Sequence, residues 1–260
     1  MVGMDQTNIW YYDCRDRAYS HRNQRYRGDL TMRKHIYLVT DTECVGLTNK
    51  SVYDIAWRIV DKHNTVMCER SYLVREVITN GRLMYDAFYA KKVFDHYIPR
   101  IASGSLILKD WNEIKAIMRD DIATHQANVF CAYNLGFDAQ AIRHTNALFN
   151  TDKFLGAPIA LLDLWNLACH SILSHKHFIT TAINQGWVSN KGNIQTSAEK
   201  AYAYVSGDYN FVESHTALED VVIETEILHR SLRQKKAKMF NKLNSSPWKI
   251  VAQRRLALGL

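Results

Sequence analysis

Several things are scarce in this 260-residue sequence. It has only three prolines and eleven glycines, too few for long linkers or low-complexity tracts. The five cysteines, Cys14, Cys44, Cys68, Cys131 and Cys169, are scattered, odd in number and form no C-x-x-C pair. That argues against a disulfide framework and for reduced thiols in a cytosol-like compartment. No apolar run approaches the ~20 residues that a membrane span requires. The stretch from Met1 to Asp29 is polar and aromatic, without an apolar signal core, so neither membrane insertion nor secretion is expected. No internal repeat is visible. From Arg230 to Leu260 there is no acidic residue.

What is present is the balance of an ordinary globular protein, 47% hydrophobic and 23% charged. The length suits one domain with extensions: a basic and aromatic arm over residues 1–34, a domain over 35–232, and a basic tail over 233–260. The formal net charge is +7 and the pI about 9.1. The arm interleaves Arg15, Arg17, Arg22, Arg25 and Arg27 with Trp10, Tyr11, Tyr12, Tyr19 and Tyr26. That mixture suits phosphate contact with base stacking, or an arm that packs on the domain or on a second subunit through its aromatics. The tail, with Arg233, Lys235, Lys236, Lys238, Lys242, Lys249, Arg254 and Arg255, is read first as a nucleic-acid contact and second as a solvated tail.

The chemistry starts at Tyr37–Gly46, Y-L-V-T-D-T-E-C-V-G. An apolar run ends in Asp41 and Glu43, and residues two apart on a strand share a face. Two carboxylates side by side repel and lose hydration. A hard divalent cation, magnesium or manganese, relieves both costs.

Around this strand, Ser51–Asp61 and Thr65–Val74 flank the turn Lys62-His63-Asn64 and read as a hairpin. Helices are expected over 82–98 and 110–125, strands at Asn128–Ala132 and Ile159–Leu162, and helices at Ala139–Leu148, Leu164–Ile172, Ala198–Val205 and Thr216–Leu232. Strands alternating with helices imply parallel crossovers. The expected fold is therefore α/β, a mixed sheet flanked by helices. Residues 174–196 match no clear period. Thr216-Ala217-Leu218-Glu219 fits a capping box, with Thr216 as N-cap.

Three residues are candidates to join Asp41 and Glu43. Taken singly, Asp138 is a helix N-cap or first-turn acid, Asp220 a first-turn acid, and His215 a surface histidine. A rival cluster of Cys169, His170, His175 and His177 matches no standard zinc spacing.

Taken together, D-T-E at 41–43, N-x-x-x-D at 134–138 and H-x-A-x-x-D at 215–220 resemble the three motifs of the DEDD exonuclease superfamily. The histidine five residues before the last aspartate is similar to its DEDDh branch, which includes the polymerase III epsilon subunit, ribonuclease T and oligoribonuclease. The resemblance spans about residues 35–232. It implies a ribonuclease-H-like fold in which Asp41, Glu43, Asp138 and Asp220 hold two Mg2+ (or Mn2+) ions, with His215 as general base. It implies a 3′–5′ exonuclease that releases nucleoside 5′-monophosphates from nucleic acid with a free 3′ end, single-stranded, with DNA favoured and a place in replication, repair or proofreading. Thr42, Cys44, Val45 and Asn134 are the implied substrate contacts. An exoribonuclease of the same family is the alternative within the class. A catalytically silent nucleic-acid-binding module is the alternative outside it. A polymerase or replication partner and a homodimer are further expectations, and the implied location is the cytoplasm of a bacterium or of a phage-infected host. Tyr133 stands where the family's usual residue is histidine, which bears on substrate contact. Asp163 resembles a later family aspartate but reads better as a helix cap.

Overall fold

The computed structural model describes residues 34–85, 87–88, 90–151, 159–234 and 239–260. The arm of residues 1–33 lies outside the described residues, and so does its candidate role in a dimer.

Six strands form one mixed sheet: β1 (Ile36–Cys44), β2 (Val52–Asp61), β3 (Val66–Val74), β4 (Ile107–Lys109), β5 (Val129–Ala132) and β6 (Ala160–Asp163). Their order is β4-β3-β2-β1-β5-β6. β1, β2 and β3 are antiparallel neighbours, as the hairpin pattern predicts, while β5, β6 and β4 add in parallel. Every residue of β5 and β6 is buried, as befits short parallel strands covered on both faces. The result is the α/β, ribonuclease-H-like sheet flanked by helices.

Ten helices surround it: α1 (Arg75–Ile78), α2 (Gly81–Tyr85), α3 (Ala90–Ala102), α4 (Trp111–His125), α5 (Leu135–Leu148), α6 (Leu164–Ala168), α7 (Lys176–Asn184), α8 (Ala198–Ser206), α9 (Ala217–Leu232) and α10 (Trp248–Ala257), counted among the described residues. A π-helical turn, Cys169–Leu173, continues α6. On one face of the sheet, Ile36, Leu38, Ile55 and Trp57 pack with Trp111, Ile114 and Met118 of α4 and with Ala141 and Ile142 of α5. On the other, Tyr37, Val39, Ala56 and Val60 pack with Ala217, Val221 and Leu228 of α9. The alternation along β1 thus sorts its side chains between two helical layers.

Three expectations are revised. The helix expected over 82–98 is two pieces, α2 and α3: between them the Phe88 N–H donates to the Val45 carbonyl at 3.2 Å, where a continuous helix would bond it four residues back. Residues 174–196 contain α7 and a tight turn closed by the Val188–Ile194 bridge. Phe178, Ile179 and Ala182 give α7 its apolar face. Thr216 is the N-cap of α9 but makes no side-chain capping bond. Its hydroxyl pairs with Ser214 at 3.2 Å. The first N–H of the helix, from Ala217, which a capping hydroxyl does not reach, donates to Asp54 Oδ2 on β2 at 3.2 Å, so a strand carboxylate helps to satisfy this helix end. Residues 239–260 fold back onto the domain, where α10 buries Val251 among Cys169, Phe178 and Ala201.

Candidate active site

Asp41 and Glu43 lie at the end of β1, in the row that Tyr37 and Val39 begin, and so face the α9 layer. Thr42 continues the opposite row, toward α5. There its N–H and hydroxyl both donate to Asp138 Oδ1, at 3.1 and 2.8 Å. Asp138 sits in the first turn of α5, where the helix dipole favours a carboxylate. Asn134 begins that helix in the left-handed region, φ 64°, a conformation asparagine tolerates. Asp220 sits in the first turn of α9. The site therefore forms where the two helical layers meet at the tip of the central strand.

The loop before α9 brings in His215. It is held in the left-handed region, φ 57°, uncommon for a non-glycine residue and a feature that clusters at functional sites. Its Nδ1 is 3.9 Å from Glu213 Oε2, and the Glu213 N–H donates to Glu199 Oε2 on α8 at 3.1 Å. The ligand atoms of Glu43, His215 and Asp220 all lie within 4.8 Å of one another.

The electrostatics are those of acids crowded away from water. Burial, then the charges of Asp138, Asp220, Glu224 and Glu43, push the Asp41 carboxyl well up. Burial and the charges of Asp54, Glu213 and Asp138 raise Glu43. Burial raises Asp138, against the bonds from Thr42 that favour its ionised form. Burial, Glu213, Glu43 and Glu224 raise Asp220. Asp41 Oδ2, Asp220 Oδ1 and Glu224 Oε2 are buried without a hydrogen-bond partner. Unpaired buried carboxyl oxygens are costly, and a cation among them supplies the missing partner. The donor set is all-oxygen with one imidazole, which fits magnesium or manganese. The other grouping among the described residues, Cys68, Asp121 and His125, differs in kind. There Asp121 already accepts from Trp57 Nε1 at 3.0 Å and pairs with Arg70 at 3.3 Å, so its charge has a partner.

Two acids were not singled out from the sequence. Glu224 is one turn beyond Asp220, and residues four apart share a helix face, so a periodicity search of α9 starting at Asp220 finds it. Glu213 lies in a loop with no period to mark it. Asp163 caps α6, accepting from the Asn166 N–H at 3.2 Å, as expected. Cys44 and Val45 open a loop fastened by bonds from Val45 N–H to the Ser51 carbonyl and from Gly46 N–H to the Asn49 carbonyl, at 3.0 and 2.9 Å. The Tyr133 hydroxyl donates to the Thr196 carbonyl at 2.6 Å. His177 pairs with the Tyr204 hydroxyl at 2.9 Å, and neither metal-competent grouping of the described residues includes Cys169, His170, His175 or His177.

No family model matches the chain, and no curated protein does. Among solved structures it is similar to E. coli exonuclease I in complex with a dA16 oligonucleotide, with a TM-score of 0.50 and 14% identity. The two share a fold, a mixed sheet flanked by helices. The match covers 78% of this chain and 41% of that chain, so this chain matches less than half the length of its neighbour. At 14% identity the likeness concerns the fold and not the branch. No described helix is long and apolar enough to cross a membrane.

Thr42→Val removes the 2.8 Å hydroxyl bond to Asp138 and keeps the side-chain shape. A bond that orients a ligating group is typically worth about 10- to 100-fold in activity or metal affinity. We expect turnover and magnesium affinity to fall within that range while the thermal midpoint of the metal-free protein stays within a few degrees. Unchanged magnesium affinity would show that the Thr42 hydroxyl does not orient Asp138.

Proposed function

We propose that this chain is a metal-dependent 3′–5′ exonuclease of the DEDDh kind, hydrolysing single-stranded nucleic acid, DNA by preference, to nucleoside 5′-monophosphates. The observation that carries the reading is the buried acid cluster at the tip of β1, with orphaned oxygens on Asp41 and Asp220, in an exonuclease-type fold. The order of the three motifs in the sequence supports the branch. The four buried cysteines Cys44, Cys68, Cys131 and Cys169 are free thiols, which favours a reducing, cytoplasmic setting.

Asp41, Glu43, Asp138 and Asp220 would hold two magnesium or manganese ions. Bound there, such ions lower the charge that builds on the attacking and leaving oxygens of the phosphodiester. His215 takes the proton of the attacking water. Glu213, 3.9 Å from its Nδ1, steadies the imidazolium that results. In-line attack at the last phosphate breaks the P–O3′ bond; the departing O3′ takes a proton from solvent water, giving a 3′-hydroxyl on the shortened strand and leaving the phosphate on the released nucleotide. Thr42 and the first turn of α5 keep Asp138 oriented throughout.

The direct test uses matched 5′-labelled single-stranded DNA and RNA with magnesium or manganese. A ladder shortening from the 3′ end and abolished by chelator is expected, faster on DNA. A faster ladder on RNA would reassign the substrate. Binding with no ladder in either metal would replace the enzyme with a nucleic-acid-binding module.

A further inference from the structure

A cavity of about 200 Å3 opens at the start of α5, the helix whose first turn carries Asp138. It opens between the start of α5, the start of α6 and the segment that leads into α10, and Asp163 joins these three walls. The Asn166 N–H donates to its carboxylate at 3.2 Å, and the nearby backbones of Trp165, Asn134 and Asn244 also favour its ionised form. As the cap of α6, Asp163 holds the cavity's shape rather than serving as a ligand. The segment itself is fastened to the edge of β6, where Asn241 N–H donates to the Leu161 carbonyl at 2.7 Å and the Leu161 N–H returns to Asn241 Oδ1 at 2.9 Å.

The lining is mixed in a particular way. Trp165 presents an indole that is locked in place: its Nε1 donates to Thr196 Oγ1 at 2.9 Å, and its ring lies 25° from the plane of Tyr133. Asn134 and Gln140 offer amides, the latter with its NH2 group still to donate, while Asn244 is held by Asn166 and by the Ser246 N–H and offers its remaining donor and lone pair. Lys50 donates to Gln140 Oε1 at 2.8 Å and sits 4.9 Å above the centre of the Phe137 ring. Among the described residues it makes no ion pair, so its charge is left for an anion.

We propose that this cavity is a nucleobase subsite: a base of the bound strand stacks on Trp165, the amides meet its edge, and Lys50 meets the strand's phosphate. An aromatic platform, amide edges and a cation are together the recognition chemistry of single-stranded nucleic acid. The place suits the role. Asn134 lines the cavity and begins the helix whose first turn carries Asp138, so a strand whose end lies at the acids runs past it. The inference rests on the reading of the acid cluster as a nuclease site.

The test measures binding of fluorescein-labelled oligothymidylate in calcium, and turnover of the same strand in magnesium. Trp165→Leu keeps bulk and removes the stacking face. Base–aromatic stacking predicts affinity lower by about 5- to 150-fold, read as raised KM with kcat little changed. Trp165→Phe loses the bond to Thr196 but keeps a ring, and is expected to bind nearly as wild type. Lys50→Met is expected to lower the slope of log affinity against log salt by about 0.7. In wild type, moving a single abasic residue along the strand should find one position that weakens binding by the Trp165→Leu factor. The subsite is overturned if no abasic position matters, if Trp165→Leu binds as wild type, or if Trp165→Phe falls as far as Trp165→Leu. Wild-type binding without cutting, weakened in Trp165→Leu, would leave the subsite standing and remove the nuclease. Absence of any wild-type binding would remove both.

Discussion

Asp41→Ala is expected to lower turnover by at least about a thousandfold and to abolish the thermal shift that magnesium produces. Asp41 is the residue on which the cluster converges, since Asp138, Asp220, Glu224 and Glu43 all raise its carboxyl. Its Oδ2 is buried and unpartnered. On the proposed two-ion reading, deleting it removes a ligand from the middle of the set. Charge stabilisation of the transition state by bound cations is worth several kcal/mol, and about 4 kcal/mol is about a thousandfold in rate. His215→Ala separates the roles. His215 stands within ligand distance of Glu43 and Asp220, so geometry alone permits it to be a ligand as well as a base. As a base, its loss costs about 10²–10⁴ in rate and leaves the magnesium-induced thermal shift intact. As a ligand, its loss takes the shift away too. Turnover and thermal midpoint, with and without magnesium, read both variants. Asp41→Ala turning over within about tenfold of wild type would place the chemistry elsewhere.

The parts of the molecule that follow from local pattern were legible in the sequence. The β1–β2–β3 meander shows in alternating apolar residues around Lys62-His63-Asn64, and α9 shows in its apolar stripe. Asp41, Glu43, Asp138, His215 and Asp220 lie in three separate segments, and it is the sheet that brings those segments to one tip. What stayed hidden depends on partners far apart in the chain. Thr216-Ala217-Leu218-Glu219 has the letters of a capping box, yet the Ala217 N–H bonds to Asp54, 163 residues away. The local hydroxyl pairs with Ser214 instead of capping, and a distant carboxylate holds the first N–H. Residues 82–98 carry helical letters throughout, but docking Phe88 on Val45 breaks the run. Residues 174–196 look polar because the packing surface of α7 is narrow, set by Phe178, Ile179 and Ala182. Glu213 matters only through its approach to His215 and Asp220, which no spacing within a loop encodes.

The stability of the metal-free protein is expected to fall as pH rises from about 5 to 8, and magnesium is expected to restore it increasingly over the same range. An unfolded carboxyl titrates near 4. In the folded chain Asp41, Glu43, Asp138, Asp220 and Glu224 are all raised, with burial the leading cause in each. Between the unfolded and folded values the native state therefore binds more protons than the unfolded state. The slope of unfolding free energy with pH is negative in that window. The destabilisation is absent below the unfolded value and grows as the pH climbs through the folded values. Ligands bind metal only when deprotonated, so the magnesium-induced gain rises with pH. At a hundredfold excess over the dissociation constant it amounts to about 2.7 kcal/mol, or about 5–10 °C for a chain of this size. Asp220→Asn removes a carboxyl that the metal-free fold must hold protonated. It should raise the midpoint of the chelated protein at neutral pH, flatten its pH slope and shrink the magnesium shift. Thermal melts in chelator and in magnesium, at pH steps from about 5 to 8, provide the check. A chelated wild type that grows more stable toward pH 8, or an Asp220→Asn variant with the full magnesium shift, would mean that the cluster holds its acids by other means than a cation.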